Sequence, residues 1–130
     1  MELELVNNQP QFWEFLRKLR FNPQVKSGFI NQRSETTPEE HRESMLKYGN
    51  LYFVCLCDGN PVGYIGHFGG DIRIATEPEF QRRGIGTFMV KEFMKRHSGT
   101  VAKIKIENKA SIKLFEKCGF KLKYFLYEQD

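Results

Sequence analysis

The residues with the clearest chemical potential lie in one stretch, Gln81-Arg82-Arg83-Gly84-Ile85-Gly86-Thr87, which runs directly into Phe88-Met89-Val90-Lys91-Glu92-Phe93. Two glycines spaced by one residue at a helix start let backbone N–H groups converge on an anion. The helix dipole adds roughly half a positive charge at that point, and Arg82 and Arg83 add full ones. A phosphate-bearing ligand fits this arrangement. The glycine pattern is short enough to arise by chance, and two glycines can simply bend a strand into a helix, so the surrounding elements must decide its meaning.

The chain has 130 residues, 40% of them hydrophobic, with a net charge of +4 and a pI near 9.0. That length suits a single domain over residues 1–130 with a real core. No apolar run is long enough to span a bilayer, and the acidic start Met1-Glu2-Leu3-Glu4-Leu5 shows no secretory signal. The Lys and Arg residues are scattered rather than clustered, which gives little support to nucleic-acid binding. Cys55 and Cys57 share one face of an apolar strand and Cys118 ends a helix. They read as buried structural thiols, with no second ligand pair for a metal, and a cytoplasmic setting is expected.

Glu2 to Val6 reads as a first strand. Asn8 is expected to cap a helix with Pro10 in its first turn and Phe12, Phe15, Leu16 and Leu19 inward; Glu14 and Lys18 pair on the wet side. Arg17 and Arg20 suit the end of that helix. Phe21 to Glu35 has no clear period and reads as loop. Thr37-Pro38-Glu39-Glu40 is a capping box opening a helix through His41, Met45 and Tyr48, stopped by Gly49. Leu51 to Cys57, Val62 to Phe68 and Asp71 to Thr76 read as a three-stranded antiparallel meander, the first strand covered on both faces.

After the glycine loop, Ile85, Met89 and Phe93 form a buried helical stripe, while Lys91, Lys95, Arg96 and His97 face water until Gly99. Val101 to Ile106 alternates as a strand, parallel to the preceding one because a helix intervenes. Asn108 caps a helix carrying Ile112, Phe115 and Cys118 inward, and Leu122 to Tyr127 is a last strand. The order β-α-α-β-β-β-α-β-α-β predicts an α+β fold: a mostly antiparallel twisted sheet with one splayed parallel pair, flanked by about four helices. A nucleoside triphosphatase is excluded, because the Walker lysine and hydroxyl residue do not follow the glycines.

Over nearly its full length the chain resembles the GNAT superfamily of acetyl-CoA-dependent N-acetyltransferases. The residues that carry the resemblance are Gln81-Arg82-Arg83-Gly84-Ile85-Gly86, the preceding Pro78-Glu79-Phe80, and Asn108-Lys109-Ala110-Ser111-Ile112-Lys113-Leu114-Phe115-Glu116-Lys117-Cys118-Gly119-Phe120. The resemblance implies that Ile74, Ala75 and Thr76 lie along the pantetheine arm of acetyl-CoA, the co-substrate. It implies that backbone N–H groups from Arg82 through Thr87 hold the pyrophosphate, and that Asn108 hydrogen-bonds the arm beside Ser111 and Phe115. A main-chain N–H of the first splayed strand would polarise the thioester carbonyl.

The implied reaction is direct attack by a primary amine. An alkylammonium is protonated at neutral pH, so a base is needed. Candidates are Asp71, which is favoured, with Glu77, Glu107 and His67. Many members carry a tyrosine acid where this chain has Phe115; Ser111, Tyr124 or water would have to replace it, or no acid is required. Some members place a carboxylate in the second splayed strand, where Lys103 and Lys105 stand. The chain stops at Asp130, where the family usually has one more strand, either lost or supplied by the partner in a homodimer. The acceptor is expected over residues 17–48, whose pattern faintly resembles enzymes acting on amino-sugar nucleotides; a protein amine or another metabolite is the alternative. A non-catalytic acetyl-CoA-binding module is the rival from another class.

Overall fold

The computed structural model describes residues 1–30 and 35–130. Its centre is a four-stranded antiparallel sheet in the order β1 (Leu3–Asn7), β2 (Tyr52–Cys57), β3 (Asn60–Phe68) and β4 (Asp71–Thr76). The alternation of these segments sorts their side chains onto two faces. One face carries Leu5, Phe53, Cys55, Val62 and Ile65 against helix α4 (Ile85–Arg96) and helix α5 (Lys109–Lys117). The other carries Val54, Tyr64 and Ala75 against α1 (Trp13–Arg20), the single turn α2 (Pro23–Lys26) and α3 (Pro38–Tyr48). Strand β2 is covered on both faces, which explains its nearly continuous apolar sequence. Gly63 makes close approach possible here: a Cβ would lie 2.8 Å from the Ala75 carbonyl oxygen and 2.9 Å from Met89 Cε.

Several expectations are corrected. Asn8 does not cap a helix. Its side chain instead donates to the Gly49 carbonyl at 3.1 Å, and the first helix opens through a 3-10 turn at Pro10–Phe12. Its charge pairs differ too: Glu14 joins Arg17 rather than Lys18. The expected loop from Phe21 to Glu35 contains α2, because the Asn22 side chain accepts from the Gln24 N–H and Pro23 starts the turn; residues 31–34 of that expectation lie outside the described residues. The capping box at Thr37 and Glu40 forms in both directions. Arg96 and His97 are not simply solvated: Arg96 stacks on Phe53 and His97 packs on Phe93.

The splayed parallel pair is reduced to a single bridge, Asp71 with Val101, in which the Ile72 N–H donates to the Val101 carbonyl at 2.9 Å. Residues 102–105 join no ladder and 106–107 turn toward α5, although Ala102 and Ile104 still pack on the core. Leu122 to Tyr127 is likewise not a strand: it finds no neighbouring chain to pair with, and Leu122, Tyr124, Phe125, Leu126 and Tyr127 are all exposed. The flanking helices number five among the described residues rather than four, α2 being the addition.

Candidate active site between diverging strands

Between β4 and residues 102–105, which no longer pair with it, lies a cleft of about 830 Å³. Because the Ile72 N–H points outward to Val101, the two-residue period of the strand turns the Ile74 N–H outward as well. No described residue accepts from it. It faces the cleft as a spare donor. The Thr76 carbonyl, on the same edge, accepts from the Gln81 side chain at 3.3 Å, which ties the loop to the strand end.

The loop then turns twice through left-handed backbone, at Arg82 (φ 65°) and Gly84 (φ 81°). Gly84 is the N-cap of α4 and offers no side chain. The first bond within the helix runs from the Phe88 N–H to the Gly84 carbonyl, so the Ile85, Gly86 and Thr87 N–H groups are left without acceptors among the described residues. No acidic residue occupies the first turn. Unfilled donors and an uncompensated dipole end fit the pyrophosphate of a coenzyme A thioester. A Cβ on Gly86 would stand 3.1 Å from Leu114 Cδ2, so the start of α4 abuts α5. Helix α5 is capped by Asn108, whose side-chain oxygen accepts from the Ser111 N–H at 3.2 Å.

Of the residues singled out in the sequence, Asp71, Ile74, Ala75, Thr76, Gln81, Arg82, Gly84, Ile85, Gly86, Thr87, Glu107, Asn108, Ser111 and Phe115 all line this one cleft. Three do not. Arg83 turns away and stacks on Phe80, 5.2 Å from its ring centre. Glu77 faces a separate hollow with Asn22 and Pro23, and burial, then Glu79, raises its carboxyl above the usual range. His67 packs against His97 and Phe93, its Nδ1 accepting from the Gly70 N–H. Tyr124, offered as an acid, is 85% exposed and does not line the cleft. Phe115 is buried edge-on against Phe120, with no hydroxyl to offer.

Asp71 sits where the strands part, its Oδ2 3.0 Å from the Lys103 ammonium and its Oδ1 without a hydrogen bond among the described residues. Lys103 thus stands across from Asp71, and Lys105 donates to the Ser27 carbonyl at 2.9 Å. That bond ties the segment after α2 across the cleft. Gly28 comes so near Asn108 that a Cβ there would meet the amide nitrogen at 3.4 Å. Arg17, expected only to suit a helix end, donates to Glu35 and to the Thr36 carbonyl, anchoring the chain that leads into α3.

Arg20, which falls in the stretch expected to take the acceptor, and Arg73, which had no functional reading from the sequence, also line the cleft. The Arg20 guanidinium lies 3.9 Å from the Phe29 ring centre. Local spacing could not reveal either, because the two meet only through the fold.

Comparison with known proteins agrees with this geometry. The family described as "Acetyltransferase (GNAT) family" matches residues 13–120. The chain belongs to the GNAT acetyltransferase family. As a member it is an acetyltransferase with acetyl-CoA as co-substrate. No curated protein sequence matches the chain. Among solved structures, spermidine N-acetyltransferase from Vibrio cholerae, in complex with CoA and spermine, superposes with a TM-score of 0.81 at 19% identity, covering 98% of this chain and 85% of that one. An N-acetyltransferase from Staphylococcus aureus Mu50 gives 0.72 at 19% identity, covering 93% and 84%. YncA from Salmonella typhimurium, with its cofactor acetyl-CoA, gives 0.70 at 18%, covering 94% and 81%. At these identities the likeness speaks for the fold. Among the described residues, no helix is long and apolar enough to cross a membrane.

Proposed function

We propose that this GNAT domain, residues 1–130, acetylates the primary amine of a small metabolite by direct attack, an amino-sugar nucleotide being the acceptor class. The observation that carries the reading is the cleft itself, which gathers unfilled backbone donors and the Asp71 carboxylate around one space. Acetyl-CoA supplies an activated acyl carbon. The N–H groups of Ile85, Gly86 and Thr87 hold its phosphates, and the Ile74 N–H donates to the thioester carbonyl as negative charge builds there. Asn108 and Ser111 border the arm.

Asp71 Oδ1 takes the proton from the amine, while Lys103 fixes the carboxylate through Oδ2. The C–N bond forms, the C–S bond breaks, and the sulfur leaves as thiolate. With Phe115 in place of a hydroxyl residue, water in the open cleft returns the proton. A thiol near pKa 8.5 is a fair leaving group without a dedicated acid.

The test is thiol release from acetyl-CoA across amino-sugar nucleotides, free amino sugars, spermidine and peptides with free amines. Turnover restricted to peptides would give the acceptor role to a protein amine. Coenzyme A binding with no thiol release from any amine would leave only a binding module.

A homodimer belongs to this reading. The exposed stretch 121–130 is basic at Lys121 and Lys123 and acidic at Glu128 and Asp130. Antiparallel pairing with a second copy sets basic end beside acidic end and covers Tyr124, Phe125 and Leu126. Sedimentation as a monomer at micromolar concentration would refute it. The cytoplasm is the proposed compartment, supported by the free thiols of Cys55, Cys57 and Cys118.

A further inference from the structure

The acceptor end of the cleft is lined by Arg20, Arg73, Lys103 and Lys105 against Asp71 and Glu107. Lys103 is matched to Asp71 and Lys105 to a carbonyl. Arg73 differs: among the described residues its side chain has neither hydrogen bond nor ion pair. Strand alternation turns it to the Tyr64 side of the sheet, opposite Ile72 and Ile74. Arg20 reaches the same place from α1, its guanidinium plane held against Phe29. Both arginines line the same cleft on the face of the sheet that carries Tyr64 and Ala75. Tyr64 itself is buried and meets Tyr52 edge-on, with ring centres 5.9 Å apart. It forms a firm floor beneath them.

Two guanidinium groups facing one pocket repel each other and any additional cation. An anionic group between them removes that repulsion, and planar guanidinium groups match carboxylate or phosphate oxygens well. We infer that Arg20 and Arg73 form an anion subsite, so that the acceptor is an amine bearing a carboxylate or phosphate. The inference rests on the acetyltransferase reading above and specifies its substrate class.

The experiment compares acetyl transfer to matched amines: a free amino sugar, the same sugar as its phosphate, an amino acid, and spermidine. The expected result is a kcat/KM at least tenfold higher for an anionic amine than for the free sugar or spermidine. The sugar phosphate and the amino acid separate phosphate from carboxylate recognition. Arg73→Gln should raise KM for the preferred anionic acceptor about tenfold or more, with kcat and the KM for acetyl-CoA within about twofold, because lost binding energy is uniform along the reaction. Arg73→Lys should recover part of that loss, and Arg20→Gln should behave like Arg73→Gln. Equal or better turnover of spermidine, or an Arg73→Gln enzyme with unchanged KM, overturns the inference while leaving the acetyltransferase reading intact. Absence of thiol release with every amine, despite measured coenzyme A binding, is instead the failure of the reading beneath it.

Discussion

Replacing Gly84 by alanine tests the cofactor loop most sharply. Gly84 has φ 81° and ψ 5°, and a Cβ there would meet nothing within 4 Å. The cost is therefore purely one of backbone conformation, about 1–2 kcal/mol for an L-residue held in the left-handed region. For a domain of this size that lowers Tm by roughly 3–10 °C. If the loop relaxes to avoid the strain, at least one of the Ile85, Gly86 and Thr87 donors loses its aim at phosphate. A hydrogen bond to a charged group contributes about 1.5–3 kcal/mol, so Kd for coenzyme A should rise roughly 10- to 150-fold. Gly86→Ala is the control. Its Cβ would meet only the flexible end of Leu114, at 3.1 Å, and its φ is not positive. Its affinity should change less than about threefold, a free-energy cost below about 1 kcal/mol. Calorimetric titration with coenzyme A, alongside thermal melts, reads both quantities. A Gly84→Ala protein that binds coenzyme A within twofold of the parent would refute the assignment of these donors to phosphate.

Asp71→Asn should lower kcat by about 10²–10⁴-fold with coenzyme A affinity unchanged, whereas Glu107→Gln should stay within threefold; steady-state kinetics decide between them. His41 is held neutral: burial lowers its pKa below 6.5, while a hydrogen bond to the Trp13 backbone opposes the shift. Its Nε2 is buried without a hydrogen-bond partner among the described residues. A depressed folded-state value means that the unfolded chain takes up the proton first. Stability should therefore be full above pH 6.5 and fall as pH drops below it toward the folded value. His41→Gln should flatten that part of the profile in urea melts, and an identical slope would refute the assignment. Burial, then Cys57, pushes the Cys55 thiol up to about 12, so alkylation at pH 8 should spare Cys55 in the folded protein and modify it in urea, as peptide mass mapping would show.

Much of the architecture was legible because it rests on local rules. The Thr37–Glu40 cap, the β2–β3–β4 meander and the glycine loop each follow from residues close together in sequence. The failures share a different cause. The alternation in Val101 to Ile106 truly reports that Ala102 and Ile104 face the core. A two-residue period says nothing about whether a neighbouring chain completes the ladder, and here none does beyond Val101. The same applies to Leu122 to Tyr127. Asn8 looked like a cap because asparagine before proline often is one, but the Gly49 carbonyl claimed its side chain from 41 residues away. At the site, the loop and the Asn108 block were readable as motifs. The cation pair of Arg20 and Arg73 was not, since α1 and β4 meet only after folding.

The contact between Gly86 and Leu114 has a consequence for motion. With no side chain at Gly86, the first turn of α4 lies directly against α5, and α5 begins at the Asn108 cap. Opening of α5 therefore removes a wall from the phosphate loop, and a ligand held by that loop must suppress such opening by mass action. Amide hydrogen exchange in residues 109–117 should slow on coenzyme A binding, including at positions that never touch it. The donor site and the last helix then behave as one cooperative unit, while the exposed stretch beyond residue 120 keeps exchanging freely in the monomer.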